Sequence, residues 1–230
     1  AKKISNRGVK ITIKPDKSPV TDGDLEVDLI LRSKIKEITK EIPIISEETV
    51  NLGIKNKYKT FWLIDPIDGT KDYIKKKSEY TLNAALIVNY QPSIGIVYAP
   101  AKNRLFYSYG KGFAYEINSS KRELSCKSRN DKKVIALANS DETPDEILDI
   151  YKKNNVTETI RMSSSLKFCI LAAGEADIYA ATARAYEWDI AAGHAILEHA
   201  GGSITTHEGK KFCYGKENYK NLPLIAKRSC

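Results

Sequence analysis

The chain has 230 residues, 42% of them hydrophobic, with a formal net charge of +8 at pH 7. That length and apolar content exclude a disordered chain and suffice for one large domain, or two small ones in close contact. The positive balance favours a polyanionic partner, nucleic acid or a small phosphorylated ligand, but serves solubility equally well, so charge alone selects no function. Val9, Ile11 and Ile13 alternate with polar residues, which predicts a strand, and Pro15 to Pro19 predicts the turn that closes it. A helix follows, capped by Thr21 or Asp22, with Leu25, Leu29, Ile30, Ile35 and Ile38 at roughly helical spacing up to Pro43. IPIIS (42–46) predicts a short strand running straight into Glu47 and Glu48. FWLI (61–64) predicts a second strand, ending in Asp65.

From Thr81 to Ile117 the sequence predicts an antiparallel meander: TLNAALIV, the turn NYQP, SIGIVYA, RLFYSY and GFAYEI, separated by Gly, Pro or Asn. The charged segment KSRNDKK (127–133) is the best boundary, because strands and helices alternate beyond it. VIALA (134–138) and ADIYAA (176–181) predict strands. PDEILDIYKKN (144–154), SLKFCILAAG (165–174) and EWDIAAGHAILEHA (187–200) predict helices, the second ended by Gly174 and the last by Gly201-Gly202. The picture is an α+β chain with an antiparallel sheet in its first half and an α/β second half. Cys126, Cys169, Cys213 and Cys230 lie far apart with no CxxC pair, which disfavours zinc and gives no disulfide framework. The start lacks the apolar core of a secretory leader, and no stretch approaches the roughly 18 apolar residues of a membrane span. The expectation is a soluble, cytoplasmic protein with reduced thiols.

The acids carry the chemical signal. FWLIDPIDGTKD (61–72) follows an apolar run with Asp65 and Asp68, and the choice is between a turn that happens to be acidic and a cation site. Each acid alone has a plain reading: Asp189, for example, sits in the first turn of a helix, where the macrodipole favours a carboxylate. Together the surroundings favour the cation. Pro66 stiffens the predicted turn, and Gly69-Thr70 opens what reads as a helix, so backbone N–H groups face the same space as the acids. Crowded carboxylates repel one another, and a hard divalent cation with oxygen ligands, such as magnesium, relieves that repulsion.

WLIDPIDGTKD, the upstream SPVT-x-x-D (18–24) and SEE (46–48), and the downstream WDIAAGHAILEHAGG together resemble the inositol monophosphatase superfamily of magnesium-dependent, lithium-sensitive phosphatases. EYTLNAALI, GIVYAP, SSLKFCILAAGEAD and EWDIAAGHAI are more similar to its CysQ-type 3′(2′),5′-bisphosphate nucleotidases than to its inositol branch. The resemblance covers nearly the whole chain and implies a layered αβαβα sandwich. It implies an N-terminal half, 1–130, with most metal ligands, and a C-terminal half, 131–230, supplying Asp189 and substrate contacts. It also implies a helix of about one to two dozen residues ahead of Val9, whose lost apolar burial would cost several kcal/mol.

Residue by residue, the resemblance implies two Mg²⁺ ions, or three. Glu47, Asp65 and the Ile67 carbonyl would hold the first, and Asp65 would bridge to a second completed by Asp68 and Asp189. Thr70, with Asp24 behind it, would orient and help deprotonate the attacking water. The Gly69 and Thr70 amides would hold phosphoryl oxygens, with Glu47, Ile67, Asp68 and Asp189 also around the substrate. Ser164, Ser165, Lys167 and Lys71 would contact the rest of the ligand, unless the two serines merely cap the 165–174 helix. The substrate implied is a phosphorylated nucleotide, adenosine 3′,5′-bisphosphate or its sulfated relative, placing the chain in sulfur metabolism. An inositol- or sugar-phosphate phosphatase is the alternative enzyme, weakened by Thr182, which stands near the place of a ring-binding glutamate in the inositol branch. A basic nucleic-acid-binding protein is the non-enzyme alternative, without a recognised signature to support it. A homodimer is compatible with the resemblance, and peripheral membrane association is not legible in the sequence.

The chain departs from the nucleotidases at Ser163, commonly glycine there, and at Asp22 and Gly23, commonly an alanine pair. Lys75 to Lys77 reads as a solvated face, Trp188 as a core anchor fixing Asp189, and Cys169 as a small buried hydrophobe. His194, His199 and His207 receive no role.

Overall fold

The computed structural model describes residues 1, 9–15, 17–54, 56–126, 133–139 and 142–228. Strands β1 (Ile11–Ile13) and β2 (Pro19–Thr21) form an antiparallel ribbon ahead of helix α1 (Asp22–Ile38). Strands β3 (Ile44–Ser46) and β4 (Phe61–Asp68) then pair in parallel. The short helix α2 (Thr70–Ile74) leads into β5 (Thr81–Val88), β6 (Gln91–Ala99), β7 (Arg104–Ser108), β8 (Ala114–Ile117) and β9 (Lys121–Glu123), which extend this sheet antiparallel in chain order. A second sheet follows, built from β10 (Ile135–Ala138), β11 (Glu158–Arg161), β12 (Ile178–Ala181), β13 (Ser203–Thr206) and β14 (Leu224–Lys227), in the order β11-β10-β12-β14-β13. Helices α3 (Asp145–Lys153), α4 (Leu166–Ala172) and α5 (Glu187–His199) connect it.

Side-chain alternation along the strands sorts these elements into five layers. On β4, Trp62 and Ile64 face α1 and pack with Ile35 and Leu31, whereas Phe61 and Leu63 face the centre. The centre holds α4 and α5, whose Leu166, Phe168, Ala191, Ala192 and Ile196 pack with both sheets. On the far side Ala136, Ile178 and Ala180 turn from the second sheet onto Ile147 and Tyr151 of α3. The result is the expected αβαβα sandwich, with one apolar core continuous across its middle. Gly95 on β6 allows close approach: a Cβ there would stand 2.3 Å from the Ala192 carbonyl of α5. Absence of that side chain seats α5, and with it Asp189, against the first sheet.

Several expectations change. Helix α1 begins at its Thr21 cap, but Leu25, Leu29, Ile30 and Ile38 are exposed, and its buried face is Gly23, Asp24, Val27, Asp28 and Ile35. Polar partners set that rotation: Asp28 accepts a hydrogen bond from Ser46 Oγ and pairs with Arg32, and Asp24 faces Thr70. Strand β4 does not stop at Asp65; it runs to Asp68, with a register shift between the two. Asp65 lies opposite Asn83 and Asp68 opposite Thr81, so Pro66 and Ile67 share one partner position, a β-bulge. Pro66, with no N–H to donate, fits that break in the ladder instead of a turn. Strands β2, β9, β11, β13 and β14 were not expected. They are short, and β9 and β11 are exposed throughout, so they carry no alternating pattern. The predicted boundary falls largely on 127–132, outside the described residues. No described helix is long and apolar enough to cross a membrane.

Candidate active site

Two of the acids are held by the helices that follow them. Asp24 is the third residue of α1, and its carboxylate accepts the Thr21 N–H at 2.8 Å and the Thr21 hydroxyl, while Thr21 Oγ1 accepts the Gly23 and Asp24 N–H groups. Asp189 is the third residue of α5 and accepts the Tyr186 N–H at 2.7 Å. In each case an N-terminal amide that the helix leaves unpaired fixes the carboxylate's rotamer. The β-bulge between Asp65 and Asp68 breaks the strict alternation of the strand, and Asp68 stands close enough for its charge to raise Asp65, although it lies outside the three-acid cluster.

There the acids converge. One carboxylate oxygen from each of Glu47, Asp65 and Asp189 lies within 4.8 Å of the others. Asp65 is only 1% exposed, and its Oδ1 has no hydrogen-bond partner. Burial, then the charges of Glu47, Asp68 and Asp189, hold Asp65 well above the ordinary carboxylate range. Burial and the charges of Asp68 and Glu47 do the same to Asp189. Asp68 is pushed up to about 6 by burial, opposed by the Lys167 ammonium and by the Ser165 N–H that donates to it. Such crowding of acceptors is unfavourable for bare carboxylates and suits a hard cation.

Beside them, Thr70 Oγ1 lies 3.2 Å from Asp24 Oδ1 and 3.1 Å from the Ile67 carbonyl. Gly69 precedes α2 at φ 91°, a left-handed conformation that favours glycine, and lets the Gly69 and Thr70 amides head that helix. Lys14, which sequence reading missed, reaches in from the β1–β2 ribbon and donates to Glu47 at 3.1 Å and to Glu48 at 2.9 Å. Its only signal was its place in the KPDKSPVT loop upstream of Asp24.

Asp68 and Asp189 also line a cavity of about 300 Å³ with Ser164, Lys167 and Thr182. Lys167 is buried and donates to the Ser164 carbonyl at 2.6 Å; burial draws its ammonium down to about 8. Ser165 does not line this cavity: its hydroxyl donates to Asn83 and bonds Thr81, and it makes no side-chain cap to α4. Ser164 Oγ accepts the Leu166 N–H at 3.3 Å, a weak cap, while remaining on the cavity wall. Lys71 is exposed on α2, away from the lining. Asn139, Tyr179, Arg184, Asn221 and Leu222 also line the cavity and were not anticipated. Trp188 is buried and stacks on Tyr186 at 4.7 Å, as expected of a core anchor. Cys169 is buried as well.

The chain matches a sequence model of the inositol monophosphatase family over residues 2–224. It belongs to this family. Among its relatives, the 3′(2′),5′-bisphosphate nucleotidase CysQ of Buchnera aphidicola is 36% identical over 213 residues, 91% of this chain and 79% of that one. The protein of the same name from Salmonella typhimurium is 33% identical over 211 residues, 90% and 85% of the two chains. The crystal structure of CysQ from Bacteroides thetaiotaomicron, a bacterial member of the family, superposes with a TM-score of 0.75 at 31% identity, covering 87% of this chain and 83% of that one.

Proposed function

We propose that this chain is a magnesium-dependent 3′(2′),5′-bisphosphate nucleotidase that removes the 3′-phosphate of adenosine 3′,5′-bisphosphate. The observation that carries the reading is the convergence of the half-buried Glu47 and Asp189 on the buried Asp65, one of whose oxygens has no partner. An all-oxygen donor set of that charge fits Mg²⁺, which Glu47, Asp65, Asp68, Asp189 and the Ile67 carbonyl would hold. Bound there, divalent ions supply Lewis acidity at the phosphoryl group and a lowered pKa for water.

The chain's own residues do the rest. Thr70 Oγ1, donating toward Asp24, presents its lone pairs to the attacking water, and Asp24 takes up the displaced hydroxyl proton. Burial raises the Asp24 pKa, which strengthens it as a base. The Gly69 and Thr70 amides hold phosphoryl oxygens, as helix N-termini do. The nucleotide, as opposed to an inositol phosphate, is supported by the names of the relatives and by Thr182 on the cavity wall. A panel of adenosine 3′,5′-bisphosphate, its sulfated relative, inositol monophosphate and sugar phosphates, assayed with Mg²⁺, tests the choice. The bisphosphate should give the highest kcat/KM, and equal or better turnover of inositol monophosphate would overturn the reading.

The same acids make metal binding and stability depend on pH. A carboxylate whose folded-state pKa is raised stabilises the fold when protonated, a contribution present below its unfolded pKa and lost as pH rises through the folded one. Asp68, pushed up to about 6, sets that window, and burial raises Asp65 and Asp189 as well. Magnesium binds the deprotonated acids and reverses the loss. The rise in Tm on adding excess Mg²⁺ is therefore expected to grow between about pH 5 and pH 8. Thermal melts with and without the ion measure it, and an increment independent of pH would contradict the assignment of these acids.

A further inference from the structure

Helix α2 has five residues, too few to hold its own position, since isolated helices of such length are unstable in water. It sits where tertiary contacts put it. Tyr73 is fully buried, packs edge-on against Tyr80 at 4.9 Å and donates to the Ala1 carbonyl at 2.9 Å. Asp72 reaches the turn between β11 and α4, where the Ser163 hydroxyl donates to its Oδ2 and the Ser163 N–H donates to Glu79 Oε2 at 3.0 Å. Burial alone would raise the Asp72 carboxyl, but the Ser163 hydroxyl and the Lys77 and Arg161 charges hold it below the ordinary range, so it remains an acceptor at neutral pH. The ion pair with Lys77, at 3.4 Å, is made by an exposed ammonium and contributes little. The same turn touches the site again through Ser165, whose N–H donates to Asp68 and whose hydroxyl bonds Asn83 at 2.7 Å and Thr81 at 3.0 Å. Of these bonds, the one from the Ser163 hydroxyl is the one that reaches α2. Thr70 and Asp72 stand two residues apart, on nearly opposite sides of the helix. Helix α2 is therefore gripped between Asp24 of α1, which faces Thr70, and Ser163.

We propose that Ser163 is a positioning residue: by holding Asp72 it fixes the rotation of α2, and so keeps the Thr70 hydroxyl in register with Asp24 for the hydrolytic step. The inference rests on the Thr70–Asp24 step proposed above, and not on which phosphomonoester is cleaved. Ser163 does not line the cavity beside Asp68 and Asp189, so its effect passes through α2. Such an effect is large enough to measure, because misplacing a reacting group by about 1 Å can cost on the order of 100-fold in rate.

The test uses the full chain with Mg²⁺ and adenosine 3′,5′-bisphosphate. Ser163→Ala should lower kcat about 10-fold, the loss expected of one hydrogen bond to a charged group, with KM within about threefold of wild type. Ser163→Thr keeps the hydroxyl and should restore kcat to within about threefold of wild type. The decisive arm is a cycle with Thr70. Once Thr70→Ala has removed the hydroxyl that Ser163 positions, adding Ser163→Ala should cost less than about twofold more. A Ser163→Ala protein with a lower Tm and unchanged kcat would reveal a purely structural bond and overturn the proposal. Losses confined to KM, or losses that multiply in full in the double variant, would also overturn it. Wild-type protein that turns over inositol monophosphate and not the bisphosphate would overturn the nucleotidase reading alone, and the same cycle read on inositol monophosphate would then decide the role of Ser163. Wild-type protein that cleaves no phosphomonoester would overturn both.

Discussion

Asp65→Asn is expected to lower kcat by about 10³-fold or more while leaving the chain folded. The metal-holding role proposed for Asp65 would require a charged oxygen, and losing several kcal/mol of transition-state stabilisation corresponds to a change of that order. The stability half of the expectation follows from burial. Asp65 is nearly inaccessible, its Oδ1 has no partner, and its charge is opposed by Glu47, Asp68 and Asp189. An amide of the same shape removes that repulsion, so the urea midpoint in metal-free buffer should be unchanged or higher. Stabilisation by magnesium should largely disappear in the variant. Retained turnover would contradict the two-ion role, and a large fall in the urea midpoint would mean that Asp65 serves the fold instead.

Thr70→Ala is expected to lower kcat by roughly 10²- to 10³-fold, the range for a positioned proton-transfer group, with KM within about threefold of wild type. The hydroxyl stands 3.2 Å from Asp24 and 3.1 Å from the Ile67 carbonyl, so its removal breaks the path by which a proton reaches the buried carboxylate. Thr70→Ser keeps the oxygen and should recover most of the rate. A change confined to KM would assign Thr70 to binding, and its part in water activation would have to be abandoned.

Some of this organisation was legible in the sequence and some was not, for reasons that can be traced to particular residues. FWLI and TLNAALIV announced their strands because each is a dense apolar run whose alternate residues pack into different layers, Phe61 and Leu63 inward and Trp62 and Ile64 onto α1. The end of β4 was misread because Pro66 and Gly69 resemble turn punctuation, while the bulge that absorbs Pro66 depends on pairing with Thr81 and Asn83. Register against a partner strand leaves no local trace. Helix α1 was placed correctly but rotated wrongly: the apolar stripe at Leu25, Leu29, Ile30 and Ile38 is exposed, because Asp24 and Asp28 are turned inward by Thr70 and Ser46. Periodicity counts apolar residues and gives no weight to a buried acid.

The site shows the same division. Acids within motifs, Glu47, Asp65, Asp68 and Asp189, were readable as a group because each follows an apolar run or opens a helix. Lys14 and Arg184 were not, since a lone cation in a loop of a chain with net charge +8 carries no signal until the fold places it. Arg184 lies five residues before Asp189, and only the return of β12 to the side of β10 brings it to the cavity that Asp68 lines.

Anomalous scattering from crystals soaked in Mn²⁺, a hard divalent ion that can report magnesium positions, tests the central claim most directly. The account predicts two peaks, about 3.5–4 Å apart, within coordinating distance of the Glu47, Asp65, Asp68 and Asp189 carboxylates. A map with no peak at these four side chains, or with its peaks elsewhere on the protein, would contradict it.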